Sequence, residues 1–110
     1  MPTAYKVLGQ NNPSAATETT LYTVPASTQT VVSSIAICNQ TASSATFRIA
    51  VRPSADATTV AKHYLVYGTT VGAADTVILT VGVTMATGDK IMVFGSSANL
   101  SFSAYGSEIS

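Results

Sequence analysis

One histidine, one cysteine and five carboxylates are the groups this 110-residue chain offers for catalysis or metal binding. His63 stands between Lys62 and Tyr64 in a stretch that reads as a strand. A catalytic triad needs a nucleophile, a base and an orienting acid held together. Hydroxyls are so frequent along this chain that no Ser or Thr stands out as a partner, so His63 reads as a structural or contact-making residue. One thiol and one imidazole are too few for a zinc site. Cys38 can form no internal disulfide, and behind Ile37 it reads as a small buried hydrophobe. Asp75 and Asp89 each end a turn just before a strand, where Asp bonds the local backbone. A calcium loop would gather several oxygen ligands in a short span. The glycines lack the spacing of a phosphate-cradling loop. No catalytic residue, cofactor or metal is expected, and the chain is not expected to be an enzyme.

Binding is the better prospect. Arg48 and Arg52 lie four apart on one alternating stretch, so both project from the same face of a strand. That puts two of the five cations on one patch. Arginine suits protein interfaces because its planar fork makes several hydrogen bonds at once. With Lys62, His63 and Tyr64 these residues form the candidate partner interface. Five tyrosines (Tyr5, Tyr22, Tyr64, Tyr67 and Tyr105) offer an alternative, a sugar-stacking platform, although the chain has no tryptophan.

The elements that position these residues are strands. Period-two alternation is clear at Thr46 to Arg52, where Phe47, Ile49 and Val51 share one face and Arg48 and Arg52 the other. Pro53 ends that strand. Thr76 to Val81 turns Val77, Leu79 and Val81 one way, and Asn99 to Tyr105 turns Leu100, Phe102 and Ala104 inward. Thr30 to Asn39 is long, with a bulge expected near Ser33 and Ser34. Tyr64 to Tyr67 and Ile91 to Phe94 are apolar on both faces and are expected to be buried twice. Glu18 to Val24 and Tyr5 to Gly9 complete the set. Turn-forming segments separate them: residues 10–14, 25–27, 40–44, 53–59, 72–75 and 86–89. This spacing predicts an all-β fold over 1–110, a single antiparallel β-sandwich of about eight strands, jelly-roll or immunoglobulin-like.

Composition narrows the function classes. Five Lys+Arg balance five Asp+Glu, and charged residues make up only 9% of the chain, against about 25% in an ordinary soluble domain. Nucleic-acid binding calls for a basic surplus that is missing here, and no basic cluster exists to meet an anionic membrane. The apolar runs are too short to span a bilayer. Seventeen Thr and thirteen Ser supply the coat instead. Uncharged hydroxyl faces are cheaper to desolvate than Lys or Glu, and near-zero net charge favours association, so a homo-oligomer is expected. The opening Met1-Pro2-Thr3-Ala4-Tyr5-Lys6 lacks a secretory pattern. Synthesis in the cytosol is therefore expected, and the glycosylation acceptors at Asn39 and Asn99 are taken as incidental.

The segments Lys6 to Gln10, Thr20 to Ala26, Val31 to Ile35 and Ala45 to Pro53 resemble small virion structural proteins of tailed phages, cyanophages among them. Lys62 to Tyr67 and the tail Asn99 to Ser110 continue the likeness. The resemblance implies a particle component located in the virion and made in the host cytoplasm. It implies a capsid decoration (cement) protein that binds the major capsid protein and forms trimers, or else a tail, neck, baseplate or fibre-attachment piece. Arg48 and Arg52 are then the expected partner contacts, and the two termini the expected bridging arms. A carbohydrate-binding module for host attachment is the alternative of a different class.

Overall fold

A computed structural model describes residues 2–110. Eight strands form: β1 (Thr3–Asn11), β2 (Thr19–Thr23), β3 (Gln29–Asn39), β4 (Ala45–Arg52), β5 (Tyr64–Val71), β6 (Thr76–Met85), β7 (Lys90–Gly95) and β8 (Leu100–Ile109). One 3-10 turn, Ala61–His63, precedes β5, and no α-helix occurs among the described residues. The strands make two antiparallel sheets, ordered β1-β8-β3-β6 and β2-β7-β4-β5. Thus β1 pairs with β8, β2 with β7, β3 with β6 and β4 with β5. That is a long hairpin rolled up on itself, the jelly-roll order. Of the two sandwiches the sequence allows, pairing selects this one.

Alternation does build the core. Phe47, Ile49, Leu100, Phe102 and Ala104 are fully buried. Phe47 and Phe102, from opposite sheets, meet edge to face with centroids 6.3 Å apart, a favoured aromatic geometry. Against β8, the bulge in β3 falls at Ser33, between Val32 and Ser34; against β6 the extra residue lies on β6, at Val81–Gly82. β6 and β8 run on to Met85 and Ile109, past the expected stops at Val81 and Tyr105. Gly106 does not break β8. It permits close approach, because a Cβ there would collide with the Val31 carbonyl oxygen.

Four local expectations are corrected. Cys38 is half-buried on the outer face of its sheet, because Ile37 takes the core-facing position beside it. His63 lies in the 3-10 turn rather than in a strand. Tyr64 to Tyr67 is not buried on both faces: β5 is a sheet edge, with Leu65 50% and Tyr67 64% exposed. The described segments nearest the two termini are strands, not arms: Thr3 pairs with Ile109 and the Ser110 N–H donates to the Pro2 carbonyl.

Two polar groups inside the sandwich hold its ends. Asn39 is 1% exposed. Its amide donates to the carbonyls of Ser43, Val71 and Gly72, and its Oδ1 accepts from the Thr41 N–H. An asparagine so placed ties three segments together and presents no acceptor for a glycan. At the β1/β2 side, the Tyr22 hydroxyl donates to Glu108 at 2.5 Å and lies 2.7 Å from the Thr30 hydroxyl. Lys6 donates to the other Glu108 oxygen at 3.1 Å. Burial, reinforced by the Glu108 carboxylate, pushes the Tyr22 phenol up to about 12. The hydrogen bond from Tyr22, aided by Lys6, holds Glu108 below its usual value despite partial desolvation.

Candidate functional site

The outer face of the β2-β7-β4-β5 sheet gathers most of the residues with binding chemistry. Strand register arranges them in rows. Arg48 on β4 is opposite Tyr67 on β5 and Phe94 on β7. Its guanidinium carbon sits 4.2 Å from the Tyr67 ring centroid and 4.3 Å from that of Phe94. The cation is thus clasped between two aromatic faces, both within cation–π range. Tyr67 also meets Tyr64 edge to face, with centroids 4.9 Å apart. The Arg48–Tyr67 register depends on a bulge at Gly68, whose φ of +79° suits glycine.

The next row runs Tyr64, Ala50, Met92, Thr20. Ala50 is 1% exposed although it points away from the core, because the 3-10 turn packs onto β4. His63 pins that covering segment. Its Nδ1 accepts the Val60 N–H at 3.0 Å, and its Nε2 lies 2.8 Å from an Asp56 oxygen. With Nδ1 an acceptor, the proton of the neutral ring belongs on Nε2, donated to Asp56. His63 is 5% exposed and both nitrogens are used internally, which makes it a clasp for this segment. Lys62, beside it on the same turn, is exposed.

The third row sets Arg52 on β4 directly opposite Lys90 on β7. Among the described residues, the Arg52 side chain donates to the Thr59 hydroxyl alone, at 3.4 Å. The ion pairs among the described residues are Lys6–Glu108 and His63–Asp56, so Arg48, Arg52, Lys62 and Lys90 have no carboxylate partner there. Asp56 and Glu108 are held in those pairs, and Glu18 is exposed just ahead of β2. Asp75 accepts the Thr76 N–H, and Asp89 accepts those of Ser54 and Ala86, which is the turn role expected of both. A chain with no net charge therefore carries a cationic, aromatic face. Lys90 belongs to this face and was missed by the sequence reading. Its position after Asp89 gives no hint of Arg52, since only strand register joins them.

Beside the rows lies an open cleft of about 550 Å³, lined by Thr59, Val60, Ala61, Tyr64 and Tyr67. No grouping of three or more His, Cys, Asp or Glu suited to a metal occurs among the described residues. The face can accept carboxylates through Arg52, Lys62 and Lys90 and can stack flat groups on Tyr67, which is the chemistry of contact. No family model, curated protein or solved structure matches the chain.

Proposed function

We propose that this chain is a structural protein of a phage particle, made in the host cytoplasm, which decorates the assembled head and holds neighbouring shell subunits together. The observation that carries the reading is the row pair Tyr67–Arg48–Phe94 and Arg52–Lys90, a preformed cationic and aromatic surface without internal counter-charges. Such a face fits an acidic protein surface. The resemblance of the sequence to small phage virion proteins supplies the kind of partner. The hydroxyl-rich remainder of the surface is inexpensive to cover, which supports association with the shell and with other copies. The mechanism is linkage: a protein that binds only the assembled shell shifts the equilibrium toward assembly.

Mass spectrometry of purified heads and tails, run separately, tests this. The protein should accompany heads, including heads that lack tails. Recovery with tails alone would move it to the neck, baseplate or fibres, and absence from every particle fraction would overturn the proposal.

A second reading, a carbohydrate-binding module, has the Tyr64/Tyr67 cleft in its favour. The two rings stand at 83° to each other, however, and Arg48 occupies one face of Tyr67, so they form no continuous platform. A glycan array that binds the wild type but not Tyr64→Ala would favour this reading. A blank array would remove it.

A further inference from the structure

A sandwich of two four-stranded sheets has four edge strands, and an exposed edge invites another strand to add to it. Three of the four are blunted here. β1 carries Lys6 and a bulge between Val7 and Gly9. β2 has five residues and is interrupted between Thr20 and Tyr22. β5 shifts register twice against β4. β6 also bulges, with an extra residue at Val81–Gly82 against β3, but it has neither charge nor proline from Thr76 to Met85, and its bulge leaves one long regular stretch. Its first five residues, Thr76 to Thr80, pair without interruption with β3, from Cys38 back to Ser34. On the free side, no backbone hydrogen bond from this segment to another part of the chain occurs among the described residues.

The side chains along this stretch are also unfinished. Ile78, on the outer face, is 66% exposed. Val77 and Leu79 face the core but are only partly buried, because β5, the corresponding edge of the other sheet, hardly touches β6. The sequence Thr-Val-Ile-Leu-Thr has the same pattern in both directions: threonine, aliphatic, isoleucine, aliphatic, threonine. An antiparallel strand laid beside it with this same pattern keeps core-facing residues on the core side.

We propose that Thr76 to Thr80 pairs antiparallel with the same segment of a second copy, about a two-fold axis through Ile78. The occupant is a second copy because the segment is its own complement, and an isologous contact requires that each residue's counterpart be present on the same patch. In this register Ile78 faces Ile78 of the other copy. Thr76 faces Thr80, a favourable cross-strand pair, and Val77 faces Leu79, covering the open side of each core. The two β1-β8-β3-β6 sheets become one continuous sheet. The inference deepens the self-association within the reading above and does not depend on where in a particle the protein resides.

Cysteine cross-linking tests the register in purified protein, with Cys38→Ser as background to remove the half-exposed native thiol. Directly opposed residues of an antiparallel pair lie within disulfide reach. Ile78→Cys should therefore oxidise to a covalent dimer. Thr76→Cys and Thr80→Cys should each stay uncross-linked, whereas the double variant cross-links. Ile78→Lys should sediment as a monomer with an unchanged circular dichroism spectrum. A folded Ile78→Cys variant that does not cross-link would overturn the pairing, as would Thr76→Cys cross-linking alone or a wild type that stays monomeric at its highest attainable concentration. Head-bound protein that fails to cross-link would sink the pairing only. Cross-linking protein absent from all particles would sink the virion reading only.

Discussion

Arg52 and Lys90 face each other across β4 and β7 with no carboxylate paired to either. Like charges directly opposed on neighbouring strands destabilise a sheet, so the isolated domain keeps a repulsion that an anionic partner would relieve. Lys90→Thr should raise the stability of the free protein by about 0.5 kcal/mol, read as an increased urea midpoint. The same change should reduce incorporation into particles. A variant that is stabilised yet incorporates at the wild-type level would show that this pair makes no partner contact.

Arg48 behaves differently, because it is held on both sides. Arg48→Ala removes two cation–π contacts and the packing of the side-chain stem, and should cost about 1–2 kcal/mol in urea unfolding. Arg48→Lys should recover only part of that, since a compact ammonium lacks the planar face that covers two rings. Simultaneous replacement of Arg48 and Arg52 therefore does not leave the fold untouched. Arg52→Ala is the cleaner probe of attachment.

The Tyr22–Glu108 pair sets the pH limits of stability. The folded-state value of Tyr22 is raised to about 12 from the ordinary 10.0. Its contribution is then complete below pH 10 and is lost as pH rises toward 12. Glu108 is shifted the other way. Its contribution is present above the ordinary carboxylate value and is lost as pH falls through the lowered one. In thermal melts across pH, Tyr22→Phe should remove the loss of stability between pH 10 and 12 and Glu108→Gln should flatten the acid limb. Unchanged profiles would contradict both assignments.

His63 holds the segment between β4 and β5 by bonds to Val60 and Asp56. His63→Ala leaves the Val60 N–H without its acceptor and should cost about 2 kcal/mol. Limited proteolysis should then cut within residues 53–60 well before the rest of the sandwich. Cleavage at the wild-type rate would count against the clasp.

The local alternation of the chain specified a β-sandwich. Phe47, Ile49, Leu100, Phe102 and Ala104 are core residues because side chains two apart share a face, and this requires no knowledge of partners. The same rule placed Arg48 and Arg52 on one outer face, and the length of Thr30 to Asn39 pointed to a bulge near Ser33 and Ser34. Alternation is silent about which strand lies beside which. The jelly-roll order, the Arg48 stack between Tyr67 and Phe94, the opposition of Arg52 and Lys90, and the bond from Tyr22 to Glu108 across 86 positions all arise from pairing between distant segments. Tertiary structure also decided burial where pattern misled. His63 and Asn39, both polar, went inside because backbone groups there needed partners, and Cys38, apolar in character, went outward because Ile37 held the inward position.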